Sequence, residues 1–375
     1  MSLGPLMIDL RGTTIEPDER EWLESPLVGG VILFTRNFAS VEQLGRLVAD
    51  IHAVRQPPLL VTVDHEGGRV QRFREPFFRL PPLRALGRLY DEDRDLALRT
   101  AGACGWLMAA ELRAVGVDLS FTPCVDLDLG LAEVIGDRAL HREPAAVAAL
   151  ARRFAAGAKK AGMAITAKHF PTHAGAHSDS HTEFAVDNRE LTDLEDDLKP
   201  YRDLIRNGLP AVMVAHESFP AIDARPASLS SWWINHYLRG ELEFKGAVIS
   251  DDLSMVGAAV VGPVETRVRL ALEAGCDLVL LCNAPEQVPP VLDSLRGYVN
   301  PTAQLRLTRL HGSGELVWDG LHASAEWQKA SALVAPLCAR IVHLNPRARA
   351  WDARTVAPRG RSPSASRPRH AGRPT

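Results

Sequence analysis

Eight short apolar runs, most closed by a polar side chain suited to chemistry, constrain this chain more than any other feature. They are Pro5–Leu10, Gly30–Phe34, Leu59–Val63, Val117–Val125, Ala164–Ala167, Ala211–Ala215, Ala247–Ser250 and Asp277–Leu281. Most read as unbroken apolar stretches, not as alternating ones. That is the pattern of parallel strands buried on both faces. Amphipathic segments separate most of them: Val41–Arg55, Asp95–Val115, Ala145–Ala161, Glu190–Asn207 and Glu265–Ala274. Four of these helical segments stop at a glycine just before the next run, at Gly116, Gly162, Gly208 and Gly275. A glycine in that place ends a helix in the left-handed conformation at little cost. The texts V-G-V-D-L, A-G-M-A-I and A-G-C-D-L then mark a recurring helix–glycine–strand unit.

Eight β/α units predict a single (β/α)₈ TIM-type barrel over residues 1–340. A doubly wound open sheet is disfavoured, because no GxGxxG follows an early strand. Residues 341–375 are predicted to be a disordered tail rich in Arg, Pro and Ser. From Pro346 onward the tail carries eight arginines and one acid, so the remaining body holds a net charge of −10 out of the total −3. Trp351 is the single Phe, Trp or Tyr among those arginines, and an acidic body gives no reason to expect nucleic acid as a partner. Five cysteines without CxxC spacing argue against a disulfide framework and fit a reducing compartment. With no signal-peptide pattern and no membrane-length apolar run, the expectation is a cytoplasmic monomer with no membrane association.

In such barrels chemistry sits at the carboxyl ends of the strands. Here those ends carry Asp9, Thr35-Arg36-Asn37, Asp64-His65-Glu66, Asp126, Lys168-His169, His216-Glu217, Asp251-Asp252 and Cys282-Asn283. A ring of polar groups on one mouth suits a ligand with many hydroxyls. Asp251, directly after a four-residue apolar strand, is placed to act as a glycosidase nucleophile, whereas Asp252 reads as a cap for the next segment. The stretch KHFPTHAGAHSDSH, residues 168–181, spaces four histidines by four. On a helix that would be a metal-binding stripe, but Pro171 and Gly175 argue for a loop, where the spacing has no meaning. Asp179 and His181 instead suggest a general acid/base in which the carboxylate orients the imidazole. In VDHEGGRVQRF, Asp64 can accept hydrogen bonds from vicinal sugar hydroxyls and Arg72 can donate a planar fork. Arg138 and Lys168 offer further donors, with ordinary surface charge as the competing reading.

Together GGVILFTRNF, VDHEGGRVQRF, FTPCVDLD, IGDRAL, AITAKHFP, DSH, PASLS and ISDDLSM resemble the family 3 glycoside hydrolases. Within that family the resemblance is to the single-domain bacterial β-N-acetylglucosaminidases of cell-wall recycling. The resemblance implies a retaining double displacement with Asp251 as nucleophile and Asp179–His181 as acid/base dyad. It implies Asp64, Arg72, Arg138, Lys168 and His169 as binders of the N-acetylglucosamine ring. The implied substrate is N-acetylglucosamine β-1,4-linked to 1,6-anhydro-N-acetylmuramic acid, a small muropeptide carbohydrate, with neither metal nor organic cofactor. The chain departs from the family text at Thr172 and Ala174, where the family has glycines. Readings that remain open are a β-glucosidase or β-xylosidase, a phosphorylase, a metal-dependent hydrolase, and an inactivated sugar-binding barrel.

Overall fold

Every one of the eight apolar runs contributes a strand, and the strands close on themselves. The structure, a computed structural model, describes residues 3–175, 185–259 and 261–344. The strands are β1 Leu6–Asp9, β2 Val28–Leu33, β3 Leu60–Val63, β4 Leu119–Ser120, β5 Ala164–Phe170, β6 Ala211–Val214, β7 Ala247–Asp252 and β8 Leu278–Leu281. Neighbours in sequence are neighbours in the sheet, all parallel, and β1 pairs with β8 to complete the barrel. Each run is apolar because each strand has the barrel core on one side and a helix on the other. Met7, Ile32, Leu60, Leu119, Phe121, Met213, Ile249 and Leu280 fill the interior, and Leu307 and Leu310 join the same cluster.

Two strands depart from expectation. The run Val117–Val125 yields a strand of only two residues, because Pro123 has no N–H to give to the ladder. The strand Ala164–Ala167, by contrast, runs on to Phe170. Backbone pairing carries it there: Val125 donates to Lys168 O at 2.8 Å and Ala215 to Phe170 O at 2.8 Å. Lys168 and His169 therefore belong to a strand and not to a loop. The peptide bonds Lys168–His169 and Phe170–Pro171 are cis.

Helices that pack outside are α1 Pro17–Glu24, α2 Val41–Ala53, α3 Leu83–Glu92, α4 Arg94–Ala114, α5 Pro144–Lys160, α6 Glu195–Arg206 and α7 Val264–Ala274; α2, α4, α5, α6 and α7 fall on the five amphipathic segments, whereas α1 and α3 were not foreseen. The segment expected to start at Glu190 begins with a 3₁₀ turn, Leu191–Leu194, and only then becomes α6. A π-helical stretch, Trp232–Glu241, was not foreseen. The glycines Gly116, Gly162, Gly208 and Gly275 take φ of 90°, 79°, 81° and 114°, as helix-ending residues should. Among the described residues no helix is long and apolar enough to cross a membrane. All five cysteines are free thiols.

The bottom of the barrel is held by two matching carboxylates. Asp118, just before β4, accepts the N–H of Val61 on β3 at 2.9 Å, and its own N–H donates to Val61 O at 2.8 Å. Asp277, just before β8, does the same to Val248 on β7, at 2.8 Å and 2.7 Å. Each is also bound by an arginine, Asp118 by Arg113 of α4 at 3.3 Å and Asp277 by Arg239, from the helical stretch before β7, at 2.7 Å. These are the aspartates of the repeated G-x-D-L text.

Helices α4 and α5 cross with almost no side chain between them. A β-carbon at Gly157 would lie 2.0 Å from the carbonyl oxygen of Gly102, and one at Gly105 would lie 2.1 Å from that of Phe154. In an open helix, Gly→Ala stabilises by about 0.5–1 kcal/mol. Here the added carbon must push two backbones apart, so overpacking by about 1–3 kcal/mol wins. Gly157→Ala is expected to lower the thermal midpoint by several degrees; a raised midpoint would show that the helices separate freely.

Candidate active site

The carboxyl ends of β3 and β5 bring together a buried group of charges. Lys168, on β5, points its ammonium at Asp64 Oδ1, 2.9 Å away, and at Glu66 Oε1, 2.7 Å away. Glu66 is fully buried and forms a bidentate pair with Arg138, at 2.9 Å and 2.8 Å. Arg72 adds a longer contact to Asp64, at 3.4 Å. Burial alone would raise both carboxyl pKa values. The cations win: Lys168 and Arg72 hold Asp64 below the usual carboxylate range, and Arg138 and Lys168 hold Glu66 well below it. Asp64 keeps a fifth of its side chain exposed, so it is the member of the group that can still meet a ligand.

His169 extends the network. Its Nε2 lies 3.2 Å from an Arg138 N–H and its Nδ1 lies 2.8 Å from Asp126 Oδ2. Arginine has only hydrogens to offer, so Nε2 accepts and Nδ1 carries the proton given to Asp126. Asp126 also accepts the backbone N–H of His173 at 2.7 Å and the Cys124 thiol at 3.2 Å. Cys124, Asp126 and His169 offer ligand atoms within 4.8 Å of one another, the spacing of a small metal site. Their chemistry fits a cation poorly. The Cys124 thiol is pushed well above its ordinary pKa, first by burial and then by Asp126, and so keeps its proton, while the His169 proton is spent on Asp126.

On the other side of the mouth, β7 ends in Asp251 and Asp252. The Asp251 Oδ1 accepts the N–H of Asp252 at 2.8 Å. His216, at the end of β6, fixes this turn: its Nε2 bonds Asp252 O at 2.9 Å and its Nδ1 bonds Ser228 Oγ at 2.6 Å. Asp252 accepts from the N–H groups of Ser254 and Cys282, both at 3.0 Å, and so caps the following turn as expected. The buried Cys282 thiol shows how far these strand ends converge. Its pKa is raised well above normal by burial, and then by the charges of Asp252, Asp9, Asp64 and Asp251. Arg36 and Arg72 flank this mouth, stacked over the Phe34 ring at 4.7 Å and 5.4 Å.

Asp64, Arg72, Arg138, Lys168 and His169 thus form one connected site, with Asp251 within reach of its field. Arg138 and Lys168 are bound to buried carboxylates, not spread on the surface. Asp179 and His181 lie outside the described residues. Glu66 and Asp126 hold the site together but were recognised from sequence only as strand-end residues. Their position after β3 and β4 was the available signal; their partners, 72 and 43 residues away, were not. His65 turns away from the mouth to pack on Phe73 and Phe77, each 5.9 Å away.

Residues 6–310 match the model of the glycosyl hydrolase family 3 N-terminal domain. The chain belongs to glycosyl hydrolase family 3. Its relatives in that family include a β-hexosaminidase of Thioalkalivibrio sulfidiphilus, 51% identical over 337 residues, covering 90% of this chain and 97% of the relative. A β-hexosaminidase of Alkalilimnicola ehrlichii is 52% identical over 332 residues, covering 88% and 95%. Among solved structures, NagZ from Neisseria gonorrhoeae in complex with N-trifluoroacetyl-D-glucosamine superposes with a TM-score of 0.85 at 42% identity, covering 90% of this chain and 98% of that one.

One group in the family 3 mouth titrates in an accessible range. Burial raises the Asp252 carboxyl to about 6, against the hydrogen bonds from Ser254 and Cys282. The folded state therefore binds this proton more tightly than the unfolded state does. The stabilising contribution is complete below the unfolded pKa and is lost as pH rises through about 6. Asp252→Asn, a neutral isostere, lacks that loss. Wild type should lose ground to Asp252→Asn in denaturant midpoint between about pH 4 and pH 7; a constant gap would contradict the assignment.

Proposed function

We propose that this family 3 enzyme is a retaining β-N-acetylhexosaminidase that removes terminal β-linked N-acetylglucosamine from N-acetylglucosaminyl-1,6-anhydro-N-acetylmuramic fragments during peptidoglycan recycling. The observation that carries the reading is the Asp64–Lys168–Glu66–Arg138 cluster on the same barrel mouth as Asp251, in a chain half identical to β-hexosaminidases over nearly its whole barrel. Five free thiols and the absence of any membrane-length helix among the described residues support a cytoplasmic location.

The chemistry follows from what each group can do. Asp64 accepts from ring hydroxyls while Lys168, Arg72 and Arg138 donate to hydroxyl and acetamido oxygens, which suits a polar, uncharged sugar. Asp251, with one oxygen held by the Asp252 N–H, presents the other to the anomeric carbon. Attack forms a glycosyl–carboxylate ester as the glycosidic bond breaks. In this reading His181, oriented by Asp179, gives its proton to the departing oxygen. It then takes a proton from the water that opens the ester, which restores Asp251 and leaves the anomeric configuration retained.

The decisive assay is nitrophenol release from the β-N-acetylglucosaminide and the β-glucoside in chelator, with and without phosphate. The first substrate alone should turn over, unaffected by either addition. Asp251→Ala should lose on the order of 10³-fold or more in kcat. Turnover surviving in that variant would remove Asp251 from its role. Preference for the glucoside, or sugar phosphate as product, would replace the proposed activity.

A further inference from the structure

Glu217 follows β6 on the catalytic face and is 0% exposed. Neither of its carboxyl oxygens is hydrogen bonded among the described residues. Leaving a carboxyl in that state is costly as an anion and unfavourable even as a neutral acid. An apolar side chain of the same length would be cheaper, so the group needs a reason to be there.

Its one close polar neighbour among the described residues is His173, whose Nδ1 lies 3.6 Å from Glu217 Oε2. His173 is itself buried, with its backbone N–H bound to Asp126 and its ring 5.8 Å from that of His169 in an edge-to-face contact. The ring also feels the charge of Asp251. His173 therefore stands between Glu217 and the mouth, in contact with His169 and Asp126 and close enough to Asp251 to feel its charge. We propose that Glu217 is a positioning residue for the hydrolytic reaction, fixing through His173 the hydrogen-bonding face that the end of β5 presents beside Asp251.

The surrounding charges decide how it does so. Asp187, Asp126 and Asp197 face Glu217, and Arg189 is the cation set against them. Arg189 is already engaged by Asp187 at 2.6 Å and by Asp197 at 2.9 Å. Burial, followed by Asp187 and Asp126, pushes the Glu217 carboxyl well above its ordinary range, so it keeps its proton. Burial also lowers His173 to about 4, so the imidazole is neutral and has one N–H. A carboxylic O–H that closes on Nδ1 by about half an ångström makes a normal hydrogen bond. It fixes the tautomer: Nδ1 accepts, and the N–H is left on Nε2. When Glu217 ionises at high pH, that donor is lost and a negative charge appears near Asp251.

The inference rests on the reading of Asp251 as nucleophile, and three variants separate the two. Glu217→Gln keeps shape, neutrality and an N–H donor, so kcat near neutral pH should stay within about threefold of wild type, and the alkaline limb of the rate profile should move upward. Glu217→Met keeps length and burial without a donor. It should raise the thermal midpoint yet lower kcat on the order of 10²-fold, with KM little changed. Equal activity in the Gln and Met variants, whether both full or both lost, would overturn the proposal. So would an unshifted alkaline limb in Glu217→Gln, which needs only the isosteric variant. Activity persisting in Asp251→Ala would instead overturn the underlying mechanism.

Discussion

The Lys168 ammonium, shared between Asp64 and Glu66, is the interaction on which the catalytic face depends. Removing a charge from water costs several kcal/mol, and only close opposite charges with good geometry return it. Here each buried charge has such a partner: Glu66 has Arg138 and Lys168, and Lys168 has two carboxylates. The result ties β3 to β5 and to the Arg138 segment at the one place where the barrel ladder gives little help. The strand between them, β4, pairs through only two residues. Charges thus reinforce the mouth where the regular ladder is shortest, alongside main-chain bonds such as that from Val125 to Lys168 O. Under the proposed function, a sugar entering this face would meet donors and acceptors already oriented, leaving little reorganisation during reaction.

That dependence explains what sequence could and could not reveal. The barrel was legible because burial on two faces imposes continuous apolar runs, and because a glycine ends a helix in the same way each time. Asp64, Lys168 and Asp251 were legible because a strand end is a local feature. Glu66 was not assigned a role, since its importance lies in Arg138, far along the chain. The length of β5 was missed because Lys168 and His169 look like loop residues until their backbone pairing is seen. The pair Asp179–His181 rests on the resemblance and on its place in the sequence, and lies outside the described residues.

Thr172 shows how a departure from a family text acquires meaning in three dimensions. Its hydroxyl donates to Asp197 at 2.6 Å and accepts the N–H of Ala174 at 3.0 Å. Asp197 in turn holds Arg189. A glycine could make neither side-chain bond. The substitution therefore ties the chain beyond β5 to α6, and it supplies a partner to a carboxyl that burial pushes upward. The change is an added connection and not merely lost backbone freedom.

The paired aspartates beneath the barrel have a consequence for its symmetry. Asp118 joins β3 to β4, and Asp277 joins β7 to β8 with the same two backbone bonds, and each also holds an arginine, though Arg113 comes from the helix just before Asp118 and Arg239 from the helical stretch before β7. The two fasteners are four β/α units apart, half a circuit of the barrel. Each half of the molecule thus carries its own copy of one device in the same register, and neither half borrows it from the other. At these two positions the lower rim repeats one backbone device across the barrel, which the upper rim, with its unequal strand ends, does not.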